Sequence, residues 1–132
     1  MLTKTIEYTD YNGNKRVEDK YFNFSKAELM EMELSTVGGL SGLIDKIIKT
    51  QDMPGLVKIF KELILKSYGE KSADGVQFIK NDEIRQRFEQ SEAYSELFME
   101  LATNNESAAK FVNGVIPASL REEVEKQAKA NA

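Results

Sequence analysis

Tyr21-Phe22-Asn23-Phe24-Ser25-Lys26-Ala27-Glu28-Leu29-Met30 is the stretch where the chain changes from strand to helix. Ahead of it, Thr3, Thr5, Tyr8, Val17, Tyr21, Phe22 and Phe24 supply the β-branched and aromatic side chains that suit a pleated surface. Asp10-Tyr11-Asn12-Gly13-Asn14 separates two such runs, and Asn-Gly is a strong hairpin signal. Residues Leu2 to Phe24 are therefore expected to form a β-hairpin of uncertain register, because apolar and polar residues alternate imperfectly. An isolated hairpin is marginal in water, so this one must pack on helices or pair with another chain. Ser25-Lys26-Ala27-Glu28 then reads as a capping box, the serine accepting from a free helix N–H and the glutamate reaching back.

Helical signals fill the remainder. The first helix carries Leu29, Met30 and Leu34 and is released at Thr36-Val37-Gly38-Gly39. A second, from about Ser41 to Thr50, places Leu43, Ile44, Ile47 and Ile48 at helical spacing. Asp52-Met53-Pro54 stops and restarts the chain, with the proline suited to a first helical turn. Leu56, Ile59, Phe60, Leu63 and Ile64 give the third helix the widest apolar face, which makes it the expected centre of the fold. Tyr68-Gly69 is read as its end, with Gly69 in a left-handed position. Glu70 to Lys80 is read as a loop with a short extended piece that tucks Phe78 inward. Asn81 caps the next helix, which buries Ile84 and Phe88. Ser91 opens another with Tyr94, Leu97, Phe98 and Leu101, ended by Asn104-Asn105. A short helix over Ser107 to Asn113 is stopped by Gly114, and Pro117 starts a last helix to about Ala130 with a frayed polar end. The fold class expected is mainly α, a small multi-helix domain with an N-terminal β-hairpin, or α+β by strict count. Residues 1–132 are expected to form one domain, with 1–24 the hairpin and 25–130 the helical body.

Composition narrows function by exclusion. The chain has 132 residues, 18 basic and 22 acidic, for a net charge of −4, with the signs interspersed. A nucleic-acid binder needs a dense basic face, and none is present. No apolar run approaches the length of a membrane span, and Met1 to Glu7 lacks the apolar core of a signal peptide. The expected compartment is the host cytoplasm, with no nucleic acid and no membrane partner. Neither cysteine nor histidine occurs, which removes thiolates, the commonest metal ligands and the usual general base. No enzymatic activity, cofactor or metal is expected.

Three clusters nonetheless invite a chemical reading. Gly38-Gly39-Leu40-Ser41-Gly42 precedes a helix, as phosphate-cradling loops do, yet Leu43-Ile44 stand where the lysine and hydroxyl of such a loop belong. A flexible turn explains it. Asp82, Glu83, Glu89, Glu92, Glu96 and Glu100 form an acidic set without the spacing of a calcium loop. Glu92, Glu96 and Glu100 share one helical face with no cation four residues on, so a solvated face or a meeting surface for a basic partner is expected. Lys46, Lys49, Lys58, Lys61 and Lys66 make the second and third helices mildly basic, again as a solvated face. If the two faces lie far apart, subunits can stack head to tail into rings or helical filaments.

The stretch Lys66-Ser67-Tyr68-Gly69-Glu70-Lys71-Ser72-Ala73-Asp74-Gly75-Val76-Gln77-Phe78-Ile79-Lys80 resembles the middle segment of tail assembly chaperones from long-tailed phages of Gram-positive bacteria. Ser91-Glu92-Ala93-Tyr94-Ser95-Glu96-Leu97-Phe98-Met99-Glu100-Leu101 and Ala108-Ala109-Lys110-Phe111-Val112-Asn113-Gly114-Val115-Ile116-Pro117 are similar to later phrases of that family, so the likeness covers about residues 56 to 120. It implies a phage or prophage protein that coats and solubilises the tape measure protein and helps recruit tail tube protein. It also implies self-association into a ring or spiral, and absence from the mature virion. A longer, frameshifted form is common in the family, and its added domain would recruit tube protein. Tyr68, Gly69, Asp74, Gly75 and Phe78 match the middle phrase and are expected to shape one loop that fixes helix packing, or to serve the fold alone. Tyr94 and Phe98 are expected in the core, or in a client groove if exposed. The competing readings are a structural tail or baseplate protein retained in the virion, and a bacterial regulatory adaptor.

Overall fold

The computed structural model describes residues 1–49 and 53–130. Its strands are β1 (Leu2–Thr9), β2 (Lys15–Phe22), β3 (Tyr68–Lys71) and β4 (Phe78–Ile79). Its helices are α1 (Lys26–Ser35), α2 (Gly39–Lys49), α3 (Met53–Ser67), α4 (Asp82–Glu89), α5 (Glu92–Thr103), α6 (Asn105–Val115) and α7 (Ala118–Ala130). The mainly helical fold with an N-terminal hairpin is as the sequence led us to expect. Two further short strands complete an antiparallel four-stranded sheet in the order β1-β2-β3-β4.

The hairpin register runs without interruption from Leu2↔Phe22 to Thr9↔Lys15. Leu2, Lys4, Ile6 and Tyr8 share the face turned toward the helices, and the lysine among them is what spoils the alternation in the sequence. Asp10 holds the turn: its carboxylate accepts from the Asn12 and Asn14 amides, each at 2.9 Å, and from Arg16 Nε at 2.6 Å. The Arg16 guanidinium, then the Asn14 amide, holds this carboxyl below its usual range. Gly13 provides the positive φ of 82° that the turn requires.

Helix ends follow their caps closely. The capping box forms, Glu28 N–H donating to Ser25 Oγ at 3.1 Å and Ser25 N–H to Glu28 Oε1 at 2.9 Å. Asn81 caps α4 through Ile84 N–H at 2.8 Å. Asn104 ends α5 and also caps α6, its side chain accepting from Ser107 N–H at 3.0 Å, so α6 begins two residues earlier than expected. Gly114 does not stop α6, which runs on to Val115. It is there for close approach: a Cβ on Gly114 would lie 2.9 Å from Leu2 Cδ1 of β1. Ser91 precedes α5 without capping it, its hydroxyl donating instead to Phe88 C=O at 2.7 Å. α7 is helical through Ala130, where fraying was expected. The expectations for Thr50, Asp52 and the final Asn131-Ala132 lie outside the described residues.

The centre of the helical layer is α5, not α3. α5 packs against β1, α3, α4 and α6, because its Ala93, Tyr94, Leu97 and Leu101 are all buried. On α3, burial is confined to the C-terminal half, at Phe60, Leu63, Ile64, Leu65 and Ser67. One continuous core joins hairpin and helices. At its heart Phe22 is fully buried among Tyr68, Phe88 and Phe111, with ring centroids 5.6, 5.8 and 5.3 Å away. Such aromatic pairs contribute ~0.5–1.5 kcal/mol each beyond burial. Phe22→Ala should therefore cost about 3–5 kcal/mol of unfolding free energy, measured by urea denaturation, by opening a void between sheet and helices.

Candidate functional site

The segment from Tyr68 to Lys80 is a hairpin rather than a loop. α3 ends without a left-handed glycine because other groups take its last carbonyls: Arg85 Nε donates to Leu65 C=O at 3.1 Å and Asn23 N–H to Ser67 C=O at 2.8 Å. Gly69 consequently lies in β3, paired with Tyr21, and is absent from the positive-φ glycines Gly13, Gly38, Gly39 and Gly75. Its missing side chain has a different purpose, since a Cβ there would lie 2.6 Å from the Phe78 ring and 2.9 Å from Ile79 C=O. Asp74 and Gly75 form the turn beyond. Asp74 Oδ1 accepts from Ser72 Oγ at 2.6 Å and from Val76 N–H at 3.0 Å, and those bonds lower its pKa. Gly75 takes φ +74° at the exposed tip.

The hairpin is locked to α1 through Lys80, a residue the sequence did not single out. Its side chain is only 14 % exposed, and its ammonium donates to Asn23 C=O and to Glu28 Oε2, both at 2.7 Å. It also lies over the Phe24 ring at 4.9 Å. Burial lowers its pKa, and the Glu28 carboxylate opposes that shift. Glu28 thus caps α1 with one oxygen and binds the β3–β4 hairpin with the other. The only sequence signal was a lysine directly before a helix cap, and its partner Glu28 lies far away in the chain.

Tyr68 and the aromatic residues of α4 and α5 form one run. Tyr68 stacks on Phe88 at 4.1 Å, Phe88 meets Tyr94 at 5.8 Å, and Tyr94 stacks on Phe98 at 6.0 Å. Tyr94 is buried at 9 % exposure, and Phe98 is half-buried against the core. The structure therefore brings Tyr68, Gly69, Tyr94 and Phe98 into or against the core, whereas Phe78, expected to tuck inward, lies half-buried over Gly69 and its neighbour Ile79 packs on the core instead. It leaves Asp74 and Gly75 apart on the surface.

The charged clusters are largely used up within the fold. Glu100 takes Lys4 at 2.7 Å, Glu89 takes Lys61 at 3.6 Å, and Glu92 accepts from the Tyr11 hydroxyl at 2.8 Å. Asp82 and Glu83 pair with Arg85 and Arg87 one turn on. The cations missing from the α5 sequence come from other elements. Among the described residues no group of three or more acids is placed to hold a metal ion. Gly39 to Gly42, expected as a flexible turn ahead of the helix, form the first turn of α2 instead, and Glu33 Oε2 accepts from Leu40 N–H at 2.6 Å at that end.

A hollow of about 670 Å³ opens along Asp19 to Tyr21 and Tyr68 to Gly75, and an apolar groove of about 490 Å³ lies between α2–α3 and α5–α6. Phe60, Leu101, Ala108 and Val112 form its floor, with Ile44, Ile47, Ile48, Met53 and Leu56 on one wall and Ala102 and Ala109 on the other. Ile48 is 72 % exposed and Met53 54 %, unusual for side chains of that size. The small alanines of the far wall leave room for a helix backbone to approach. Lys46 and Lys58 extend from the two helices of the apolar wall.

A family model described as phage tail assembly chaperone matches residues 1–132. The chain belongs to that family. No curated protein and no solved structure matches it. Membership extends the likeness beyond residues 56 to 120 to the whole length, the hairpin included. For a tail assembly chaperone, an exposed apolar groove is the feature of most interest.

Two outcomes test the loop assignment. Gly69→Ala should destabilise the fold by roughly 1–3 kcal/mol through overpacking, whereas Gly75→Ala should cost about 1–2 kcal/mol from backbone strain alone, both read by denaturant melts. Burial pushes the Tyr68 phenol up from 10.0 to about 12. The folded state then holds this proton more tightly than the unfolded chain. The stabilisation is complete below pH 10.0 and is lost as pH rises toward about 12. Absorbance titration of the tyrosinates should show a late-titrating phenol that is missing from Tyr68→Phe.

Proposed function

We propose that the chain is a non-enzymatic holding protein that binds and solubilises the tape measure protein and helps recruit tail tube protein during tail morphogenesis. The α2–α3/α5–α6 groove is the observation that carries this reading. A long helical client, alone in the cytoplasm, exposes apolar helix faces and aggregates. An amphipathic helix laid in a groove of this kind covers those faces. Ile48 and Met53 are the exposed apolar side chains that line it. Fully covering a side chain of that size contributes roughly 1.5–3 kcal/mol before ordering costs. A few such contacts give a hold that tube subunits can displace. The same reading has the protein act in the host cytoplasm, self-associate as a ring or spiral along its client, and leave before the virion matures.

Co-expression with the tape measure protein of the same phage is the test. The client should be insoluble alone, and soluble and co-purified with the wild-type chain. Ile48→Glu should abolish the rescue while shifting Tm little, since a substitution at an exposed helix position changes stability by about 0.5 kcal/mol or less. Equal client solubility with and without the chain removes the holding role. Mass spectrometry of purified virions should find no copies of the protein.

A further inference from the structure

Another open surface lies along β1, which is the outer strand of the sheet order and pairs with β2 alone among the described residues. At the turn Asp10 N–H donates to Asn14 C=O at 2.9 Å. Alternation along the register then directs the backbone groups of Tyr8, Ile6, Lys4 and Leu2 to β2. Those of Thr9, Glu7, Thr5 and Thr3 point outward. Across β2 the pattern agrees, since Asn23 bonds on the β3 side. None of the outward residues makes a backbone hydrogen bond elsewhere among the described residues.

Natural proteins blunt such edges with short strands, prolines or bulges. β1 has eight residues, no proline and an unbroken register. Its one inward charge, Lys4, is taken by Glu100 at 2.7 Å and does not guard the edge. Beside it runs a cleft of about 430 Å³ lined by Lys4, Thr5, Ile6 and Glu7, with Glu96 and Met99 of α5 opposite. Side chains of consecutive strand residues point to opposite faces, so all four can line one cleft only where it opens along the strand edge. Glu7 and Glu96 form no ion pair among the described residues, and Met99 is 56 % exposed. The cleft is therefore acidic with one apolar patch.

We propose that the free edge of β1 docks an extended basic segment of a partner protein, which adds as a further strand with a lysine or arginine turned toward Glu96. Main-chain hydrogen bonds to the outward groups hold the segment, and Glu96 and Met99 select alternate side chains. This inference does not rest on the groove or its client.

The test uses the full chain, ¹⁵N-labelled, with three synthetic peptides: Thr-Lys-Val-Lys-Val-Lys-Thr, its glutamate counterpart, and the lysine peptide N-methylated at alternate amides. The lysine peptide should shift the Thr3, Thr5 and Glu7 amides and slow their hydrogen exchange. N-methylation should weaken binding about tenfold or more, by removing strand hydrogen bonds worth ~1 kcal/mol each. Thr5→Pro should do the same, because it removes an outward N–H that the β1–β2 ladder does not use, while Thr5→Val should bind normally. Glu96→Lys should reverse the preference toward the glutamate peptide. The proposal is overturned by equal binding of the N-methylated peptide, by equal binding of the two charge types, or by shifts confined to other elements. Concentration-dependent protection of the same amides without peptide assigns the edge to a second copy and equally overturns this occupant.

Discussion

Burial of the Phe22 ring is the interaction on which the rest depends. It is the last residue of β2 and touches aromatic rings from β3, α4 and α6. A two-stranded ribbon has too little apolar surface to persist alone. Phe22 turns it into one wall of a core whose other walls come from residues more than forty positions away. The stacked pair Tyr68–Phe88 and the contacts through Tyr94 to Phe98 carry that packing outward along α4 and α5. Side chains in the middle of this run cannot also serve as a releasable binding surface, because exposing them opens the core.

Electrostatics reinforce the same joints. Lys80 binds the β3–β4 hairpin to α1, Lys4 binds β1 to α5, and Arg85 closes the end of α3. The Lys80 pair is the most sheltered of these, so removing Glu28 would leave a largely desolvated cation as well as an uncapped helix. Surface pairs such as Lys110–Glu106, both mostly exposed, add little.

Local signals were legible in the sequence, and distant ones were not. Ser25/Glu28 and Asn81 declared their helix starts because a cap needs only neighbours in the chain. The Asn-Gly turn declared the hairpin for the same reason. Gly69 and Gly114 were misread because their role is to admit Phe78 and Leu2, and no local pattern reports which side chain arrives from elsewhere. A glycine after a helix ordinarily signals a left-handed cap. Here Arg85 and Asn23 satisfy the terminal carbonyls first, so the chain continues directly into a strand. The acidic face of α5 looked unpartnered because its cation and phenol come from the hairpin. The apolar groove was hidden in plain composition: Ile44, Ile47 and Ile48 read as one helical apolar face, and only the packing shows that this face is left partly open.

The apolar groove and the cleft beside β1 lie on opposite sides of α5. Leu101 and Ala102 line the apolar groove, while Glu96, Met99, Glu100 and Thr103 line the cleft beside β1. Residues 96, 100 and 103 fall on one face of a 3.6-residue helix, and Leu101 with Tyr94 falls on the other. A helix with its side chains is about 10 Å thick, so occupants of the two surfaces need not collide. Their chemistry differs as well, one apolar and shaped for a helix, the other hydrogen-bonding, acidic and shaped for a strand. If the protein keeps one partner soluble while a second approaches, a single surface would force the two to compete from the start. With α5 as the partition, both can be engaged at once.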